Sequence, residues 1–245
     1  MNAMSLSSND DQTERWWRFL SRWALVAGLA GVGLLVVYIG GVGIAPSDAA
    51  LGPEFTELMQ AVRSPALYRV ATLLDALGWA LMAGVLLSVA MIVRHYAPIR
   101  AVLIAACAIG LISGVLGGFM RLVGLSQLAG MYAAATPAQQ SGVLAATLTL
   151  ENVIAANFAA GDLLAGVAFV LAAWSLAAIA GFPRWLALWL GLVGILSLVL
   201  FVVAATGGFS FPLVFLTVLV MFGAYFAIAF RLRRPLPAMT AAASA

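Results

Sequence analysis

The chain has 245 residues, 64% of them hydrophobic and 9% charged, with a formal net charge of +3. A soluble domain carries about a quarter charged residues, so this composition excludes a water-solvated globule and makes lipid the main solvent. The twelve basic residues are all arginine. They sit at the ends of apolar runs, where they set orientation in a membrane and do not form a nucleic-acid-binding surface.

Residues 1–21 read as a polar N-terminal tail, unstructured over 1–14, that ends in a basic-aromatic collar. There Arg15, Arg18 and Arg22 interleave with Trp16, Trp17 and Trp23, a composition suited to the headgroup level of a bilayer. A first span is predicted over about 22–44. Its apolar run exceeds the roughly 7–15 residues of a cleavable signal core, so it reads as a retained span. Gly28, Gly31, Gly33, Gly40 and Gly41 let neighbouring helices come close in lipid.

Segment 45–64 is bounded by Pro46, Pro53 and Pro65. Within it Phe55, Leu58, Met59 and Val62 fall on one helical face, with Glu54, Glu57 and Arg63 elsewhere. The pattern predicts a short amphipathic helix lying on the membrane surface. Ser64-Pro65 then reads as cap and first residue of a second span over 65–93.

Arg94, His95, Pro98 and Arg100 make a turn into a third span over 99–124, and the uncharged stretch 125–136 reads as a loop. Thr136-Pro137-Ala138-Gln139 has the pattern of a capping box with proline at the first helical position. From there a helical pattern runs to Ala180, a length of about 66 Å at 1.5 Å per residue, against roughly 30 Å of hydrocarbon. A break is therefore expected, with Asn152, Asn157 and Gly161 as hinge positions, or a surface helix at 137–150 feeding a fourth span at 154–180. Gly181-Phe182-Pro183-Arg184 turns into a fifth span over 184–205, and Gly207-Gly208 into a sixth over 211–231. Arg231, Arg233 and Arg234 end it, and residues 233–245 read as a loose tail. The expected fold is all-α: a polytopic membrane bundle of six transmembrane helices over 22–232, with short amphipathic surface helices in the outer loops.

Arginine placement orients this bundle. The two ends, the loop after span two and the loop after span four hold Arg15, Arg18, Arg22, Arg94, Arg100, Arg184, Arg231, Arg233 and Arg234. The opposite loops hold Arg63 and Arg69 beside Asp48, Glu54 and Glu57. The positive-inside rule then puts both termini in the cytoplasm. Arginine as the sole basic residue, with abundant Ala, Gly, Leu and Val, fits a GC-rich bacterial genome, and so an inner (plasma) membrane location.

Ionisable groups inside a span cost about 2.5–3.5 kcal/mol each on insertion scales and need a partner or a purpose. Asp75, Arg121 and Asp162 are the clear cases, with Arg69 and Glu151 nearer an interface. Counted from the predicted outer ends of their helices, all three lie at similar depth in the outer leaflet. Tyr68, Thr72, Asp75 and Trp79 share one helical stripe; Gly110, Gly114, Gly118 and Arg121 share another. A glycine row marks a close helix contact, so Arg121 is expected to emerge from a packed seam. Tyr68, Asp75, Arg121, Asn157 and Asp162 are the candidate ligand-binding residues, with Arg69 and Glu151 peripheral. An arginine between two carboxylates also serves as a plain ion-pair staple, and its long stem can snorkel outward.

Several chemistries fall outside this inventory. One histidine gives no bis-histidine haem and no histidine-rich metal site. The absence of lysine removes a retinal Schiff base. Cys107 is a single thiol in an apolar run and reads as a small packed hydrophobe. Gly110-Leu111-Ile112-Ser113-Gly114 faintly suggests an intramembrane serine protease, but no histidine in a later span can act as base. No catalytic residue, metal or cofactor is assigned.

The span layout, the Gly-Phe-Pro-Arg-Trp-Leu-Ala segment at 181–187 and the glycine-rich third span ending in Gly-Gly-Phe-Met-Arg at 117–121 resemble a bacterial family of six-span membrane proteins. That family is a domain of unknown function. The resemblance covers roughly residues 20–232 and implies a six-helix fold, and it lends no catalytic residues.

The sequence thus points to a non-enzymatic binding or accessory protein with an outward-facing polar pocket. Its partners would be the lipid bilayer and a lipid headgroup or small polar ligand, with a membrane-protein partner or a second copy also compatible. The alternative is a small-solute transporter gated by an Asp-Arg-Asp cluster.

Overall fold

The computed structural model describes residues 3–37, 55–206 and 211–232. Among these residues there is no strand. The helices are α1 (Ala3–Val37), α2 (Thr56–Arg63), α3 (Pro65–Val93), α4 (Pro98–Gly110), α5 (Ile112–Phe119), α6 (Ser126–Ala134), α7 (Pro137–Ala177), α8 (Arg184–Ala205) and α9 (Phe211–Arg231). A π-helical turn, Met120–Leu125, joins α5 to α6. Six helical segments are long and apolar enough to cross a membrane: Glu14–Val37, Pro65–Val93, Pro98–Ala134, Pro137–Ala177, Arg184–Ala205 and Pro212–Arg231. The chain is an all-α, multi-pass membrane protein.

Four boundaries follow from punctuation in the sequence. Pro65 opens α3, and the Ser64 carbonyl accepts the Tyr68 N–H at 2.9 Å. Pro98 sits in the first turn of α4. At Thr136 one half of the capping box forms, the backbone N–H donating to the Gln139 side-chain oxygen at 3.0 Å, while the Thr136 hydroxyl donates to the same oxygen at 2.9 Å. Between α7 and α8, Gly181 takes φ 81°, a left-handed conformation that suits glycine.

Three expectations are corrected. Residues 3–13 do not form an unstructured tail; they continue α1, because adding a turn to an existing helix avoids the nucleation cost a free tail would face. Residues 125–134 are not a loop, since the π-turn and α6 carry the third span to Ala134. Nor does α7 break, at Asn152, Asn157, Gly161 or elsewhere, and there is no separate surface helix at 137–150: the helix runs unbroken from Pro137 to Ala177. Residues 38–54, with the predicted end of the first span, and the tail 233–245 lie outside the described residues.

Length has a consequence here. At 1.5 Å per residue α7 is about 61 Å long and the helical arm Pro98–Ala134 about 55 Å. Fitting α7 wholly into roughly 30 Å of hydrocarbon would need a tilt near 60°, beyond the 0–40° range of membrane helices. At least one end of α7 therefore projects past the hydrocarbon.

The contacts divide the chain into two compact units. One holds residues 1–29, 80–111 and 162–245; the other holds 30–79 and 112–161. The first is built from α1 up to Leu29, α3 from Ala80, α4, α7 from Asp162, α8 and α9. Its core includes Leu20, Val85, Leu86, Ile104, Phe169, Leu186, Leu190 and Tyr225. The helices are stitched by side chains donating to backbone carbonyls: Ser21 Oγ to Ala229 at 2.9 Å, Trp23 Nε1 to Leu81 at 3.0 Å and Trp189 Nε1 to Val220 at 3.0 Å. Described arginines of this unit include Arg15, Arg18, Arg22, Arg94, Arg100, Arg184 and Arg231, and the Arg100 guanidinium lies 3.6 Å from the centre of the Trp174 ring.

The second unit has its own core of Phe55, Leu58, Ala61, Tyr68, Leu125, Ala129 and Ile154. Its α2 was expected to rest its apolar face on the bilayer. Instead Leu58 and Ala61 are fully buried against protein, and α2 packs on α6 and the π-turn. Protein atoms are denser than lipid tails and fixed in place, so they reward that face better.

Candidate functional site

In the second unit, burial along α3 follows the predicted stripe. Tyr68 and Thr72 are buried and Asp75 and Trp79 half-buried, while Arg69, Val70, Leu73 and Leu77 are exposed. The glycine row of the third span also behaves as its spacing implies. A Cβ on Gly118 would meet Ala76 Cβ at 2.7 Å, and one on Gly114 would enter the Trp79 ring. α3 and α5 are thus in backbone-close contact, which small residues permit.

Arg121 emerges one turn beyond that seam, inside the π-turn. Its guanidinium pairs with Glu57 of α2 at 2.8 Å and with Asp75 of α3 at 3.6 Å. The Phe158 ring of α7 lies beneath it, 4.6 Å from ring centre to guanidinium carbon, and Phe158 stacks in turn on Trp79 at 5.9 Å. The Tyr68 hydroxyl donates to the second Glu57 oxygen at 3.3 Å and stands in the field of Arg121 and Glu151 as well. One cation therefore joins α2, α3, the π-turn and α7.

Of the candidate residues, Tyr68, Asp75, Arg121, Asn157 and the peripheral Arg69 and Glu151 fall in this unit. Asp162 opens the third segment of the other unit. The Asn157 amide donates back to Val153 of its own helix at 2.8 Å. Arg69 is exposed and Glu151 half-buried. Two residues of the cluster escaped the sequence reading. Glu57 was placed on the polar face of a surface helix, and no span pattern flagged it. Phe158 is one of thirteen phenylalanines; its only signal was its place one residue after Asn157.

Helix length also refines the depth of the cluster. Measured from the arginine-bearing ends, Asp75 lies ~27 Å along α3 from Val93, and Arg121 ~34 Å along its arm from Pro98. If those helix ends mark one face of a hydrocarbon slab of roughly 30 Å, both residues fall near its other face. The side chains of Arg121, Glu57 and Asp75 keep 25%, 26% and 27% exposure, so protein covers most of the triad and leaves part of each side chain open. Among the described residues no group of three or more His, Cys, Asp or Glu is arranged to hold a metal ion.

Comparison with known proteins finds no family model, no curated protein and no solved structure that matches the chain.

Proposed function

We propose that the chain is a non-enzymatic binding or accessory protein of the bacterial inner membrane. Both termini lie on the cytoplasmic side, and a polar site centred on Arg121 faces outward. The orientation rests on the arginine count of alternate loops. The observation that carries the binding role is the combination at Arg121: a π-turn holds its guanidinium over Phe158 and between two carboxylates, yet a quarter of the side chain remains exposed. A π-turn inside a spanning helix is a feature enriched at functional sites. A staple needs only the carboxylates; the retained exposure keeps the guanidinium within reach of a lipid headgroup or a small polar ligand.

Thermal unfolding of the purified chain in detergent, with glycerol 3-phosphate and phosphocholine as headgroup probes, tests this reading. Either probe should raise the unfolding temperature of the natural chain and leave Arg121→Gln unmoved. Equal shifts in both proteins, or none in either, would leave the cluster a staple.

A further inference from the structure

The arginine-rich end of the first unit holds a cavity of about 290 Å³ lined by Arg18, Ser21, Arg22, Leu25 and Leu232. We propose that this cavity is a binding site for the phosphate of an anionic lipid in the leaflet at that end. It is distinct from the Arg121 cluster and stands or falls independently of it.

Spacing builds the site first. Arg15, Arg18, Arg22, Leu25 and Leu29 recur at three- and four-residue steps along α1 and form one helical stripe. A cationic stretch thus runs directly into an apolar one on the same face. Leu232, buried immediately after α9, closes the other wall. Ser21 Oγ donates to the Ala229 carbonyl at 2.9 Å, tying α1 to α9 and fixing the distance between the walls.

The charges in the lining are all of one sign. Arg18 has a single weak competitor, Glu14 one turn earlier, at 3.7 Å and well exposed. Arg22 has no ion-pair partner among the described residues. Two guanidiniums converging without a lining carboxylate suit an oxyanion with several acceptor oxygens, which a phosphodiester supplies.

The surroundings select a lipid over a soluble phosphate. Beside the stripe Trp16 meets Phe19 edge-on and Phe19 stacks on Trp23, at 5.6 Å and 5.4 Å between ring centres, an aromatic row of the kind found at the headgroup level. Beyond the cavity the same side of α1 exposes Val26 and Leu29 to the apolar phase, a track for an acyl chain. The volume lies at the lower edge of the roughly 300–1,000 Å³ typical of small-molecule sites, enough for a headgroup whose tails stay in the bilayer. Basic pockets between helices are a known lipid-selective device.

Native mass spectrometry of the full chain in detergent, titrated with dioleoyl phosphatidylglycerol, dioleoyl phosphatidylcholine or inorganic phosphate, tests the proposal. The first phosphatidylglycerol should bind at least tenfold more tightly than phosphatidylcholine. Arg18→Gln with Arg22→Gln should weaken it about 25-fold, about fivefold per arginine, while Arg94→Gln leaves it unchanged. Leu25→Trp keeps both arginines but fills the cavity, so it should abolish the preference even if the double variant folds poorly. Three results overturn the assignment: equal binding of the two lipids, a preference that survives Leu25→Trp, or inorganic phosphate binding that depends on the arginines while phosphatidylglycerol binding does not.

Discussion

Arg121 and Glu57 meet at 2.8 Å, and the contact joins a π-turn within a membrane-spanning arm to an eight-residue helix that cannot hold itself together. So short a helix is unstable alone, and α2 has no side-chain hydrogen bond at its N-cap. Its place is fixed by Leu58 and Ala61 in the core and by this ion pair at the rim. Arg121 thus reaches α2 and α3 with one guanidinium.

The two carboxylates are not equivalent, and a mutant cycle reads the difference. Glu57→Gln removes the shorter contact and should cost about 1 kcal/mol, as for a partly exposed charged hydrogen bond. Arg121→Gln leaves Glu57 and Asp75 facing each other and should cost about 2–3 kcal/mol. Once Arg121 is neutral, Glu57→Gln should become nearly harmless. Unfolding temperatures in detergent give the coupling; simple additivity of the two losses would mean that the pair contributes nothing.

Glycines of the third and fourth spans are predicted to separate into two classes. At Gly118 a methyl group would lie 2.7 Å from Ala76 Cβ and 2.9 Å from its backbone, and backbone cannot swing aside. Gly118→Ala should therefore destabilise by about 1–3 kcal/mol. At Gly130 and Gly142 nothing lies within 4 Å of the added carbon, so alanine there should stabilise by about 0.4–1 kcal/mol through a less flexible unfolded chain. Matched losses at Gly118 and Gly142 would show that the α3–α5 seam is looser than its geometry.

How far these features were legible in the sequence depended on whether punctuation marked them. The limits of α3, α8 and α9 were predicted to the residue, because Pro65, the 181–184 turn and the terminal arginines stop or start a helix by covalent chemistry or charge. The continuity of α7 was missed because a 30 Å slab was taken to bound the helix, whereas a hairpin partner can stabilise a helix outside lipid. The same assumption turned 125–134 into a loop: an uncharged stretch rich in Ala and Gly carries no periodic signal, and its helix depends on packing. The Arg121–Asp75 pair was legible from in-span charges. Glu57 was not, because an amphipathic helix shows which face is polar but not what that face meets.

We expect the Ala135-Thr136 hairpin to be the end of α7 that projects, and labelling tests it. Cys107→Ala removes the natural thiol, after which Thr136→Cys, Ser141→Cys and Val167→Cys can be compared in sealed vesicles with a membrane-impermeant maleimide. The first two lie at or near the hairpin tip and are exposed; they should react nearly as fast as in detergent. Val167 is exposed on α7 but lies only ~15 Å along it from Ala177, so it should react slowly until the bilayer is dissolved. With Tyr96→Cys, in the turn between α3 and α4, the set also reports orientation: Tyr96 should label from the cytoplasmic side and Thr136 from the opposite side. Protection of Ser141 would place the hairpin within lipid and leave the other end of α7 to project.

Tyr225 sharpens the account of the first unit. Its side chain is almost fully buried between helices, with Phe169 at 6.5 Å, and its hydroxyl has no hydrogen-bond partner among the described residues. A buried hydroxyl without a partner costs about 1–3 kcal/mol. Tyr225→Phe keeps the ring and its packing while deleting that cost, and should raise the unfolding temperature with a gain of about 1 kcal/mol. Tyr225→Leu is the control for packing and should lower it, since the loss of ring volume leaves a cavity. The informative result is the sign of the phenylalanine change. A fall would mean that the hydroxyl is satisfied in the membrane by an ordered water or a bound polar group, and would place a solvated site in a core otherwise closed by apolar side chains.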